Sequence, residues 1–345
     1  MRIAIYKDSL STGRGADRAV RHFAAGIAER GHDTVLFEKD ELVPRLAERW
    51  DAIIATGSNE AVDLDAAGYF SRSNRAKVVL QLHLAPRGFF KWKHPFRNRR
   101  IRRAFGKADA AQLLCQGYAA EFRRLAPHPR LFVIGNYTEL SPPQATPPET
   151  SPVILYPAAV VNRVKNQKLL IEAFARLADE FPDWRVRLLG KDSTPYTAAC
   201  RRLAEKLGVA DRIEFAGFTR DLAAAYGHAA FVAFPSTLEG FPLALLEAAR
   251  FGLCAVAHRA LPGVSDILRD GETGLITEPT PAAYAAGLRQ LMANPDLRQR
   301  MGERARTFCA EHYSRERILD AWEALLDEVV SGRTDNQPKE DGTCR

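Results

Sequence analysis

Twice along this chain, short apolar runs alternate with stretches whose apolar residues recur at helical spacing. The alternation restarts after a proline-rich break, LSPPQATPPETSP (140–152). The first half opens with RIAIY (2–6), a glycine-containing loop STGRGAD (11–17), and then Ala16, Ala19, Val20, Phe23, Ala24 and Ile27 on one helical face. Gly31 ends that helix and DTVLFE (33–38) reads as the next strand. Strand, helix and strand in so short a span predict a βαβ unit with parallel strands. DAIIATG (51–57), AKVVLQLH (76–83), ADAAQLLC (108–115) and RLFVIGN (130–136) read as further buried strands. Beyond the break the strand-like runs are VILYPA, WRVRLLG, RIEFAG, FVAFPS and CAVAH, with helical patterns between most of them. The predicted fold class is α/β, with two Rossmann-like domains over 1–150 and 151–310. A last helical pattern carries Leu319, Trp322, Leu325, Leu326 and Val329, and the polar stretch 331–345 is expected to be disordered.

The chain has 345 residues, enough for two cores. It has no apolar run near the roughly 18 residues of a membrane span, and its N-terminus shows no cleavage-site pattern. Five scattered cysteines (Cys115, Cys200, Cys254, Cys309, Cys344) without CxxC pairs suggest reduced thiols and a cytoplasmic setting. Charge is uneven. Residues 1–150 carry 24 Lys and Arg against 16 Asp and Glu, whereas the remainder carries 25 against 26. The first half is therefore the better candidate to meet an anionic partner.

The most chemical stretch is PSTLEGFPLALLEAARFG (235–252). A strand leads into a loop carrying Glu239 and Gly240. Pro242 then suits the first turn of a helix, where its missing N–H is harmless. The N-terminus of such a helix favours a phosphate or pyrophosphate, and Gly240 allows close approach to the backbone. Glu247, one turn past Leu243, is placed to accept hydrogen bonds from a ribose diol, and Glu239 to reach hydroxyls beyond the phosphates. Spacing alone equally fits two solvated glutamates.

The stretches FPSTLEGFPLALLEAARFG and LPGVSDILRDGETGLITEP together resemble the donor-site signature of family 4 retaining glycosyltransferases, which adopt the GT-B fold. VKNQKLLIEAFARL (164–177), RIEFAGFTRDLAAAYGHAAFVAFPS (212–236), GRGADRAV (13–20) and VIGNYTEL (133–140) extend the resemblance, which is strongest over 153–280. It implies two Rossmann-like domains facing each other across a cleft, an N-terminal acceptor domain, and a final helix (311–330) crossing back to it. It implies that Glu239 contacts the transferred sugar, Glu247 the ribose, and that the backbone around Gly240, Phe241, Pro242 and Leu243, with its free N–H groups, surrounds the phosphates. Lys165 matches the lysine that stabilises the departing diphosphate. Gly13 and Gly15 match glycines facing the diphosphate. His83 matches a histidine near the donor sugar, and Gly190 and Lys191 lie where the family holds the base. The arginine usual about five positions before Lys165 is absent. Val160 stands there, and Arg163 is the candidate substitute. The usual proline after Leu253 is Cys254.

The resemblance implies a nucleotide-sugar co-substrate, expected to be UDP-linked, no other cofactor and no metal. An Asp63–Leu64–Asp65 pair occurs outside the donor signature. The implied acceptor is a glycan or glycolipid of the cell envelope, such as lipopolysaccharide. RGFFKWKHPFRNRRIRRAFGK (87–107) has nine Lys and Arg, no acid, and interleaved Phe and Trp. Its composition allows an anionic membrane surface, an acidic or phosphorylated acceptor, nucleic acid, or a solvated face. The resemblance favours the first two, so peripheral docking on the membrane is expected and nucleic acid is not. Two other classes fit a two-domain cleft: a sugar-nucleotide epimerase or hydrolase, and a catalytically idle binding protein.

Overall fold

A computed structural model describes residues 1–10, 15–89, 94–142 and 151–332. Two six-stranded sheets form, and every strand pairing in them is parallel. The first contains β1 (Arg2–Tyr6), β2 (Asp33–Phe37), β3 (Ala52–Ala55), β4 (Lys77–Leu82), β5 (Ala110–Leu113) and β6 (Leu131–Val133), in the order β2-β1-β3-β4-β5-β6. The second contains β7 (Val153–Tyr156), β8 (Arg185–Leu189), β9 (Ile213–Gly217), β10 (Phe231–Phe234), β11 (Ala255–His258) and β12 (Gly274–Thr277), in the order β12-β11-β10-β7-β8-β9. The central strands β3, β5, β10 and β11 are buried at every residue. Helices cover both faces of such sheets, so their strands are continuous apolar runs without alternation.

The strand β12 was not among the expected strands. It has four residues, sits at a sheet edge and buries only Gly274 fully, so its sequence carries no apolar run. The FVAFPS strand also ends at Phe234, two residues before Ser236.

Five helices position the site: α1 (Gly15–Glu29), α2 (Ser58–Ala66), α3 (Pro95–Phe105), α4 (Leu243–Arg250) and α5 (Arg315–Ser331). Helix α5 packs on the first sheet. Ile318, Leu319, Trp322, Leu325, Leu326 and Val329 are buried with Ile3, Ile5, Val20 and Phe23. The Trp322 and Phe23 ring centroids lie 4.6 Å apart. Around this apolar stripe, Arg30 pairs with Glu323 at 2.6 Å and Arg130 with Glu328 at 2.9 Å. The second sheet's core runs from Ile154 to Cys309 and is joined by Ala85, Leu114, Cys115 and Tyr118 of the first lobe. Cys115, Cys200, Cys254 and Cys309 are buried free thiols. Cys344, residues 143–150 of the proline-rich break and residues 333–345 of the expected tail lie outside the described residues.

Candidate functional site

Strand order reverses between β1 and β3 in the first sheet and between β7 and β10 in the second. Open parallel sheets place ligands beyond the carboxyl ends of their strands at such points. The loops leaving β7 and β10 hold Arg163, Lys165, Glu239, Gly240, Phe241 and Pro242, and loops of the two lobes meet one another close by. Tyr118 donates its hydroxyl to the Glu239 carbonyl at 2.6 Å, and the Gly117 N–H donates to Asp266 Oδ2 at 3.2 Å. Gly240 lies so close to the His83 carbonyl that a Cβ there would stand 1.8 Å from its oxygen.

The two lobes present helix N-termini to one another. A Cβ on Gly15, the first residue of α1, would lie 3.5 Å from Leu243 Cδ1, at the first residue of α4. Each end carries first-turn N–H groups and a partial positive charge, so both favour the same anion. Pro242 takes the cap position rather than the first turn, one residue earlier than its sequence suggested. Gly13 lies outside the described residues.

Lys165 and Glu239 come from the loops after β7 and β10. Their Nζ and Oε1 atoms are 2.6 Å apart, both partly shielded from water. The Tyr156 hydroxyl holds the Lys165 carbonyl at 2.7 Å and shares a hydrogen bond with Ser236 at 2.6 Å, tying the two loops together. Asn166 adopts a left-handed backbone, φ 52°, to turn the chain from Lys165 into the next helix.

Glu247 is 3% exposed. It is neither a solvated surface residue nor an unoccupied acceptor. It takes the Tyr226 hydroxyl at 2.8 Å and an ion pair from Arg18 of α1, across the gap between lobes. Burial raises its pKa, against the opposing pull of Arg18 and Tyr226. Arg18 was not singled out from the sequence, because its partner lies far along the chain. Only its position one turn into the glycine-loop helix hinted at it. The same holds for Tyr118 and Asp266.

His83 follows β4 and its Nε2 meets Gln81 Oε1 at 2.9 Å. Burial, then the Lys7 ammonium, push its pKa down to about 3, with Asp17 opposing, so the ring is neutral near pH 7. Phe241 lends backbone to the site, but its ring packs edge-on against Tyr313, 5.7 Å away. Gly190 follows β8 with φ +143° and backs onto Ala159, and the Lys191 carbonyl accepts from the Val160 N–H at 2.7 Å. Val160 is fully buried, whereas Arg163 is exposed on the turn before Lys165. These four residues flank the Lys165 loop.

Asp63 and Asp65 do not converge. Asp63 takes the Tyr6 hydroxyl and Lys39, while Asp65 takes Lys107 and Arg103. Among the described residues, no three His, Cys, Asp or Glu side chains gather as a metal site would. The basic segment is partly spent inside its own lobe, since Arg87 also pairs with Glu121 at 3.0 Å. Residues 90–93 of it lie outside the described residues.

Residues 138–308 match the sequence profile of the family described as glycosyl transferases group 1. This part of the chain is similar to group 1 glycosyl transferases. A lipopolysaccharide core biosynthesis glycosyltransferase, LpsE of Rhizobium meliloti, is 26% identical over 90% of this chain and 95% of its own length. An exopolysaccharide phosphotransferase of Streptomyces coelicolor is 34% identical over 48% of this chain and 17% of its own. An uncharacterized glycosyltransferase of Haemophilus influenzae is 30% identical over 46% and 44%. The chain thus spans less than half of the length of these last two relatives. Among solved structures, Anabaena Alr3699/HepE in complex with UDP and glucose has a TM-score of 0.79 at 18% identity, covering 95% of this chain and 99% of that one. The lipopolysaccharide outer core galactosyltransferase WaaB has 0.71 at 14%, covering 96% and 99%. The matched region is the second lobe of a GT-B fold, and the candidate site lies where it meets the first.

Proposed function

We propose that the chain is a family 4 retaining glycosyltransferase that moves a sugar from a UDP-sugar to a hydroxyl of a lipid-linked or envelope saccharide, without a metal. The observation that carries the reading is the facing pair of helix N-termini, α1 and α4, flanked by Lys165–Glu239 on one side and Glu247 on the other. The HepE complexes with UDP and the likeness to LpsE support the donor class and the envelope acceptor.

In this reading the diphosphate sits between the helix ends, where aligned N–H groups neutralise it. The ribose diol replaces Arg18 at Glu247, leaving that carboxylate hydrogen-bonded. Glu239 exchanges Lys165 for hydroxyls of the sugar, and Lys165 turns to the diphosphate. The acceptor oxygen bonds to C1 on the face the diphosphate leaves. The electron pair of the broken C1–O bond stays on the diphosphate, whose oxygen takes the acceptor proton. Charge grows on the diphosphate in the transition state, so Lys165 and the helix ends act mainly there. Arg163 stands in beside Lys165 for the family's missing arginine, Lys191 borders the base, and neutral His83 borders the sugar. The exposed cations of 87–107 rest the protein on the cytoplasmic face of an anionic membrane.

Lys165→Ala and Glu247→Ala should each lower transfer from UDP-sugar by roughly 10²–10³-fold while circular dichroism stays native. Wild-type turnover by either folded variant overturns the reading. Donor consumption at full rate without any acceptor would instead indicate a hydrolase or epimerase.

A further inference from the structure

At the switch point of the first sheet, the loop after β1 carries Lys7, Asp8 and Ser9, and β3 leads into α2 with Ser58, Asn59 and Glu60. Glu60, 2% exposed, holds Lys7 at 2.9 Å and the Asp8 N–H at 3.1 Å. Lys7 also holds Asp8 at 2.9 Å, and Asn59 donates to Asp8 at 3.3 Å. The donor reading uses none of this network, which ties Lys7 and Asp8 to the start of α2.

Two adjoining cavities run from this loop between α2 and α3. One, of about 350 Å³, is lined by Asp8, Lys39, Asn59, Asp63 and Arg100. The other, of about 360 Å³, shares Asn59 and Arg100 and adds Phe96 and Arg97. Their sizes fall in the range of small-ligand sites, roughly 300–1,000 Å³. Arg97 reaches toward Asn59 Oδ1 at 3.4 Å, so guanidinium and amide share one wall. Phe96 is 83% exposed.

We infer that this groove binds an anionic saccharide, a pyranose bearing a phosphate or carboxylate, as the acceptor of the proposed transfer. The word acceptor rests on that proposal; the groove does not. Asp8, Asn59 and Asp63 offer acceptors for sugar hydroxyls. Phe96 offers a flat apolar face for the C–H side of a pyranose. Arg97 and Arg100 offer planar donor forks that fit a phosphate or carboxylate in pairs. A neutral sugar needs no such cluster of cations, and a bare phosphate would be repelled by the two aspartates. The groove opens beyond the carboxyl end of β1, the strand whose loop leads into α1. On α3 the residues 96, 97 and 100 share one face, while Arg99 and Arg102 point away. Saccharide contact and membrane contact therefore fall on separate sides of one helix.

The test is isothermal titration calorimetry on the full chain with glucose 6-phosphate, glucuronate, glucose and inorganic phosphate as probes, and a UDP titration of the same protein. The two charged sugars should bind at least tenfold more tightly than glucose or inorganic phosphate. The double variant Arg97→Ala, Arg100→Ala should lose at least tenfold, with native circular dichroism and unchanged UDP uptake. Asn59→Ala should weaken all sugars alike, and Arg99→Ala should change nothing. Equal binding of glucose or of inorganic phosphate overturns the inference, as does wild-type binding by the double variant or an equal loss with Arg99→Ala. Saccharide uptake without UDP uptake upholds the groove and sinks the donor reading.

Discussion

The neutral ring of His83 makes a prediction that separates burial from chemistry. Its folded pKa, about 3, lies below the unfolded value near 6.5. Between these values the unfolded chain binds a proton that the folded chain refuses. Stability is thus intact above pH 6.5 and falls as pH drops toward 3. The ring keeps some contact with solvent, which trims the effect to roughly 1 kcal/mol at pH 5, or about 2–4 °C in melting temperature. His83→Gln should flatten this part of the curve, read as the difference between the two proteins' melting temperatures from pH 7 to pH 5. Parallel curves would refute the assignment. Glu247 titrates with the opposite sign, its raised pKa favouring the folded state as pH falls, and it cancels in that difference. At this scale Glu239 and Glu247 stood out because a glycine, a proline and a helix start lie between them, and Lys165 stood out only through the motif VKNQ that carries the family resemblance. It could not mark Arg18, whose partner Glu247 is 229 positions away. Asp63 and Asp65 stay apart because residues two apart on a helix point in different directions, and each found its own cation.

Among the elements, the seam between lobes depends on glycines that lack a side chain at the contact. A Cβ on Gly117 would stand 2.1 Å from the Pro262 carbonyl oxygen, and neither partner is a flexible side chain that could yield. Gly117→Ala should therefore push the loop after β5 away from the loop after β11 and break the Gly117–Asp266 hydrogen bond. Neither loop carries a residue assigned to the donor. A rise in the radius of gyration by small-angle scattering, with at least a tenfold fall in transfer and near-native ellipticity, is expected. An unchanged scattering curve would show that the seam absorbs a methyl group and that its geometry does not limit turnover. The strands were legible because burial on both faces demands unbroken apolar runs. β12 was not, because an edge strand of four residues has no such demand. The basic segment read as one patch, but its part from Pro95 to Phe105 is a helix whose faces differ. Arg103 and Lys107 turn to Asp65, and Arg97 and Arg100 line a groove.

For the molecule as a whole, α5 decides whether two lobes behave as one protein. The chain passes from the second lobe's last core helix through Ser314, which caps α5, and then lays six apolar side chains into the first lobe. Trp322 is 1% exposed and stacks obliquely on Phe23, so its indole belongs to the first lobe's core although its backbone extends from the second. Removing a buried aromatic of this kind costs about 3–5 kcal/mol. Trp322→Ala should thus weaken the first lobe selectively and loosen its tie to the second. Calorimetry should resolve an early transition for the first lobe, lower by roughly 10 °C at about 2–4 °C per kcal/mol, ahead of a little-changed transition for the second. UDP, if it binds between α1 and α4, should draw the two transitions back together, because a ligand held by both lobes stabilises only the joined state. A single transition displaced without splitting would mean that the Gly117–Pro262 and Gly240–His83 contacts suffice to couple the lobes. The crossing helix would then serve the first lobe's stability alone.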